Sequence, residues 1–123
     1  MDQKKILVAE DDMFLRELYQ ETLKDEGYAV DVAVDGEDAL AKLQRGGHDL
    51  VLLDIIMPKL DGIAVMEKLK ATPPASPNGI IIFLTNLDKD DKIKQALAYG
   101  NGYIIKSQIT PGDLVNEVKK YLG

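Results

Sequence analysis

Val51-Leu52-Leu53-Asp54-Ile55-Ile56-Met57-Pro58 reads as a buried strand that ends in a carboxylate. Apolar residues without polar alternation suit a strand covered on both faces, and an unpaired carboxylate is costly inside one. Asp54 therefore belongs where the strand leaves the core. Two other segments share this form. Ile6-Leu7-Val8-Ala9 runs into Glu10-Asp11-Asp12, and Gly102-Tyr103-Ile104-Ile105 runs into Lys106. Three apolar strands thus end in charge, and two of those ends carry the hard oxygen donors that hold divalent cations.

Outward from these, the apolar period alternates between strand and helix. Strand-like runs lie near residues 6–9, 29–34, 50–53, 80–84 and 103–105. Between them, Leu15, Leu18, Thr22 and Leu23 share a helical face, as do Val65, Met66 and Leu69. Ile93, Ala96 and Leu97 form another, and Leu114, Val118 and Leu122 the last; residues 37–44, with Leu40 and Leu43, make a shorter helix. Asp35 and Asp88 are N-cap candidates, and Thr110-Pro111-Gly112-Asp113 supplies a cap, a proline at the first helical position and a first-turn acid. Gly27, Gly46-Gly47 and Gly100 stop helices. Five units of strand then helix predict one α/β domain over residues 1–123, a parallel sheet with helices on both faces. Pro73-Pro74-Ala75-Ser76-Pro77 is a stiff loop within it.

Composition narrows the function. A chain of 123 residues, 46% hydrophobic, has enough apolar material for one core. The absence of cysteine excludes disulfides and thiolate metal sites. No signal-peptide core opens the chain, and no apolar run approaches the ~20 residues that span a bilayer. The net charge of −6 argues against nucleic acid as a direct partner, because phosphate neutralisation needs clustered Lys and Arg. A soluble, cytoplasmic, acidic domain is expected.

In an open parallel sheet all strand C-termini share one edge, and ligands bind there where strand order reverses. Glu10, Asp11, Asp54, Thr85 and Lys106 should then meet in one shallow acidic cleft. Crowded carboxylates raise one another's pKa, and a divalent cation relieves them. Without His or Cys donors, Mg²⁺ or Mn²⁺ is favoured over zinc. With the metal present, one carboxylate can attack phosphorus and form an acyl phosphate. Lys106 and the metal would balance the equatorial oxygens, and the Thr85 hydroxyl would donate to one of them. Plainer readings stand beside these. Aspartates after strands commonly cap helices, a role assigned here to Asp12, which leaves Glu10 and Asp11 for the metal. Tyr103 suits core packing, Lys106 a solvated strand end, and His48, the one histidine, a turn without chemistry.

The segments Ile6-Leu7-Val8-Ala9-Glu10-Asp11-Asp12, Asp54-Ile55-Ile56-Met57-Pro58-Lys59-Leu60-Asp61-Gly62, Leu84-Thr85-Asn86 and Tyr103-Ile104-Ile105-Lys106 resemble, in this order and spacing, the receiver domain of two-component response regulators. The resemblance covers the whole chain and is nearest the stand-alone, CheY-like chemotaxis type. It implies a flavodoxin-like (βα)5 fold with strand order 2-1-3-4-5. It implies that Asp54 accepts a phosphoryl group from a sensor histidine kinase or histidine phosphotransfer protein. Glu10, Asp11, Asp54 and the backbone carbonyl of Ile56 would hold Mg²⁺, and Lys106 would contact the phosphate. Thr85 and Tyr103 would be the switch pair that alters a surface for a downstream protein, with the chain monomeric or dimerising on phosphorylation. Such a domain is a phosphoacceptor with intrinsic autodephosphorylation rather than an enzyme acting on a separate substrate.

Departures from the family pattern are few. Ser107 stands where proline is common, so the cis bond often placed there loses its usual cause. Asn86 replaces a small residue, the connection over 99–103 is one residue short, and the 73–77 segment is long. Ile56 and Leu87 flank the expected phosphoryl site and, being apolar, are expected to slow hydrolysis. The sequence stops just after its fifth helix, which suits either a regulator acting by protein contact or a piece whose output domain lies elsewhere. Three rivals fit less well. A haloacid-dehalogenase-type phosphatase wants Asp-x-Asp after its first strand, whereas Ile55-Ile56 follow Asp54. A flavodoxin-like electron carrier needs a Ser/Thr/Gly-rich phosphate loop after strand one. A phosphorylation-independent interaction module has no reason to keep Glu10, Asp11, Asp54, Thr85 and Lys106 together.

Overall fold

In a computed structural model that describes residues 3–86 and 91–123, strands and helices alternate. The elements are β1 (Lys5–Ala9), α1 (Met13–Asp25), β2 (Ala29–Ala33), α2 (Gly36–Arg45), β3 (Leu50–Asp54) and α3 (Gly62–Ala71), followed by β4 (Ile80–Thr85), α4 (Asp91–Leu97), β5 (Gly102–Ile105) and α5 (Pro111–Leu122). A short 3₁₀ turn, Lys106–Gln108, follows β5. All neighbouring strands are parallel, in the order β2-β1-β3-β4-β5. The order reverses between β1 and β3, so the C-terminal ends of these two strands flank the crevice where such sheets bind ligands.

The unalternated strands are apolar because both faces are covered. Leu7, Ala9, Val51, Leu53, Ile81 and Phe83 pack on one face with Ala39, Leu43, Val65, Leu69 and Ala96 from α2, α3 and α4. The intervening residues Ile6, Val8, Leu50, Leu52, Ile82 and Leu84 pack on the other with Tyr19, Leu23, Leu114 and Val118 from α1 and α5. This is the period-two division of a strand, read on both sides. Each of the valine, leucine, isoleucine and phenylalanine side chains among them, fully removed from water, contributes about 1.5–3 kcal/mol before entropy is counted.

Capping follows the sequence closely. Asp12 accepts from the Leu15 amide at 2.9 Å and Asp35 from the Asp38 amide at 2.8 Å. Thr110 and Asp113 form a reciprocal capping box at the start of α5. The Asp88 cap lies outside the described residues.

Several expectations need correcting. Strand β2 stops at Ala33 rather than Val34, whose amide turns to the Asp38 carboxylate at 3.0 Å while its side chain meets solvent. Leu97 is exposed at the end of the short α4, and Tyr99 packs against the core beyond it. Tyr19, absent from the predicted face of α1, is buried, whereas Leu15, Leu18 and Thr22 are half-buried. Tyr103 is 44% exposed, which removes the core-packing reading. His48 is buried rather than on an exposed turn: it is 3% exposed, and its Nδ1 lies 2.8 Å from Asn78 Oδ1. Asn78 in turn donates to the Leu43 carbonyl at 2.9 Å, which fastens the end of α2 to the loop before β4. No cis peptide occurs among the described residues, and none of their helices is long and apolar enough to cross a membrane.

Candidate functional site

Three strand ends deliver the charges predicted for them. Glu10 sits one residue beyond β1, Asp54 and Thr85 are the last residues of β3 and β4, and Lys106 follows β5. Asp54 and Thr85 thus belong to their strands rather than lying past them. Together Glu10, Asp11, Asp54, Ile56, Asn86 and Lys106 line an open cleft of ≈ 360 Å³. A larger hollow of ≈ 480 Å³ lies among Leu69, Lys70, Pro73, Pro77 and Tyr99, at the other end of the sheet, and brings no carboxylates together.

Lys106 is the hub. Its Nζ donates to Asp54 Oδ2 at 2.7 Å and to Glu10 Oε1 at 2.8 Å, joining positions 52 and 96 residues away. The remaining oxygens are also engaged, Glu10 Oε2 by the Asp12 amide at 3.3 Å and Asp54 Oδ1 by the Ile56 amide at 3.2 Å. Glu10 is wholly buried, and Asp54 is 2% exposed. Burial pushes the Glu10 pKa up, the facing Asp54 carboxyl adds to the rise, and Lys106 opposes it without overcoming it. Asp11 is pushed up as well, by burial and then by its hydrogen bond with Glu10. Burial works against the charged Lys106 ammonium, yet Asp54 and Glu10 outweigh it and hold that pKa above the ordinary value. Both pKa values thus rise, which disfavours the charged form of Glu10, where burial leads and Asp54 adds to it, and favours the charged form of Lys106.

Carboxylate oxygens of Glu10, Asp11 and Asp54 lie within 4.8 Å of one another. One ammonium cannot balance three carboxylates, and two negative charges remain uncompensated. An all-oxygen donor set of this charge, without nitrogen or sulfur, fits a hard dication.

Local backbone explains how Asp54 is held. A Cβ on Gly62 would fall 2.5 Å from the Asp54 carbonyl oxygen, so only glycine lets α3 begin against that strand end. The Gly62 amide donates to the Ile55 carbonyl at 2.7 Å.

The other predicted residues are placed as follows. Thr85 is fully buried and pairs in register with Ile105. Tyr103 pairs with Phe83, so Thr85 and Tyr103 lie on adjacent strands and the same face of the sheet, two positions apart. Ile56 lines the cleft with a half-exposed side chain, Asn86 lines it from the end of β4, and Leu87 lies outside the described residues. Sequence spacing passed over Arg16, whose guanidinium reaches the backbone under Glu10 and Asp11.

Residues 6–119 match the family described as response regulator receiver domain. The chain belongs to this family. It is 39% identical over 106 residues to the chemotaxis protein CheY of Treponema pallidum, covering 83% of this chain and 72% of that one. It is 36% identical over 124 residues to the transcriptional regulatory protein ResD of Bacillus subtilis, covering 98% of this chain and 49% of ResD. The chain spans 45% of the transcriptional regulatory protein DltR of Streptococcus agalactiae, again at 39% identity. Among solved structures, a CheY-like receiver from Methanospirillum hungatei superimposes with a TM-score of 0.84 at 29% identity, covering 97% of this chain and 93% of that one. The response regulator TrrA of Thermotoga maritima, solved with Mg²⁺ and a beryllofluoride, gives 0.80 at 35% identity and covers 97% and 99%. This receiver is therefore a response regulator domain of two-component signalling.

Proposed function

We propose that this receiver accepts a phosphoryl group on Asp54, from the phosphohistidine of a sensor histidine kinase or a histidine phosphotransfer protein. Glu10, Asp11, Asp54 and the Ile56 carbonyl hold the required Mg²⁺, or Mn²⁺ in its place. The observation that carries this reading is the single Lys106 ammonium bonded to both Glu10 and Asp54 in an open cleft beside Asp11.

The chemistry follows from those positions. A carboxylate oxygen of Asp54 attacks phosphorus in line, the P–O bond forms as the P–N bond breaks, and the imidazole leaves with the electron pair. A dication held by Glu10, Asp11 and Asp54 would supply positive charge for the phosphoryl oxygens and for the crowded carboxylates. Lys106 exchanges its contact with Asp54 for one with a phosphoryl oxygen. Thr85 donates its hydroxyl to another, and the ring of Tyr103 turns toward the space this opens. Phosphate adds charge and three acceptor oxygens, which favours one of two existing arrangements of the face around β5. That face then meets a downstream protein or an output domain in the cytoplasm, as a monomer or a phosphorylation-dependent dimer. Water later cleaves the acyl phosphate, over which apolar Ile56 stands.

Incubation with acetyl phosphate or phosphoramidate, with and without Mg²⁺, tests this by intact mass. One added phosphoryl group is expected on the parent with Mg²⁺, little without it, and none on Asp54→Ala. Labelling of Asp54→Ala equal to the parent overturns the assignment.

A further inference from the structure

We propose that Arg16 is a positioning residue for the cation site, an inference that rests on the Mg²⁺-dependent phosphoacceptor reading. Arg16 is the fourth residue of α1, and its Nη1 donates to the Glu10 carbonyl at 3.0 Å and the Asp11 carbonyl at 3.3 Å. Its partners are backbone oxygens, so an ion pair does not account for its placement.

The two carbonyls sit where the chain has left one ladder and not yet joined the next. The Glu10 amide still pairs with the Ala33 carbonyl of β2 at 3.1 Å, and the Asp12 carbonyl already accepts from the Arg16 amide at 2.9 Å. Among the described residues no backbone amide donates to the Glu10 or Asp11 carbonyl. One guanidinium nitrogen closes both. The Glu10 carbonyl is partly buried, so leaving it unpaired costs stability, while the exposed Asp11 carbonyl gains a charged donor in place of water.

The consequence reaches the carboxylates. The dihedrals of this turn set the directions in which the Glu10 and Asp11 side chains leave the backbone. Their oxygens meet Asp54 within 4.8 Å, a spacing that a small rotation of either peptide would spoil. Arg16 therefore holds two of the three carboxylates at binding distance without touching the cation itself.

Electrostatics makes the proposal separable from a charge effect. A positive side chain near a dication weakens binding by Coulomb repulsion, so its removal would tighten Mg²⁺ binding if charge alone mattered. Positioning predicts the reverse sign. Titration calorimetry with Mg²⁺ on the parent and on Arg16→Met is expected to show binding weakened about tenfold, the usual scale for losing a group that orients a metal ligand. Arg16→Lys, whose ammonium reaches one carbonyl, recovers part of the loss. Amide hydrogen exchange on the metal-free proteins is expected to quicken at Asp11 and Asp12 in Arg16→Met, with the strand interiors unchanged. Should Arg16→Met fail to fold, Arg16→Gln gives the same reading. Mg²⁺ binding by the variant as tight as the parent's, or tighter, overturns the role of Arg16 alone. A parent that takes up no Mg²⁺ overturns the functional reading along with it.

Discussion

Replacing Lys106 with methionine isolates the electrostatics of the cleft. The variant keeps the apolar stem but leaves Glu10, wholly buried, and Asp54, 2% exposed, facing each other without a cation between them. Removing one partner from a buried ion pair typically costs about 3–5 kcal/mol. Protonation limits the damage. Neutralising a carboxyl whose ordinary pKa is 4.5 costs about 1.4 kcal/mol per unit of pH above that value, so about 3.4 kcal/mol at pH 7 and about 1.4 kcal/mol at pH 5.5. The sign follows from linkage. A carboxyl whose folded pKa lies above its unfolded value favours the fold below the unfolded pKa, and that contribution is lost as pH rises through the folded pKa. The deficit of Lys106→Met relative to the parent should therefore be about 3 kcal/mol at pH 7 and shrink by roughly half at pH 5.5. With no tryptophan in the chain, urea unfolding in EDTA is followed by far-ultraviolet circular dichroism. Mg²⁺ should restore much of the loss by supplying the missing charge. A deficit that is the same at both pH values, or below about 0.5 kcal/mol at pH 7, would refute the picture of a lysine bridging two buried acids.

Other outcomes follow from the same geometry. Gly62→Ala drives a Cβ toward the Asp54 carbonyl and should cost about 1–3 kcal/mol by overpacking, with slower phosphorylation by acetyl phosphate; an unchanged rate in a folded variant counts against the close approach. Mg²⁺ at about 100 times its dissociation constant should stabilise the parent by about 2.7 kcal/mol, seen as a rise in melting temperature that Asp11→Ala largely loses. Asn78→Ala removes the partner of His48 and should destabilise by about 1–3 kcal/mol while leaving phosphorylation intact, which thermal melts and mass labelling together would check.

The fold was readable because burial on both faces of a parallel sheet leaves strands with no polar alternation, and only β2 at the edge carries a charge within, Asp31. The cleft was readable for a related reason: charges that interrupt such runs fall at strand ends, and parallel strands bring those ends to one edge. Residues whose roles rest on particular side-chain contacts were not readable. His48 stands beside two glycines in a segment that looks solvent-exposed, yet Asn78 and Asp31, distant in sequence, lie against its buried ring. Arg16 has the spacing of an ordinary helix surface residue, and its backbone partners leave no mark in side-chain patterns. Tyr19 escaped an apolar count because its ring is buried while its type is partly polar. Leu97 failed the other way: Ile93 and Ala96 of the short α4 are buried, while Leu97 at its end is exposed.

The 73–77 proline segment and the His48–Asn78 tie occupy the rim opposite Asp54, and this division gives the domain two independent margins. Length changes and new contacts at the far rim should leave the carboxylate cleft undisturbed. A library of insertions between Pro73 and Pro77 is thus the natural place to graft new recognition onto this domain.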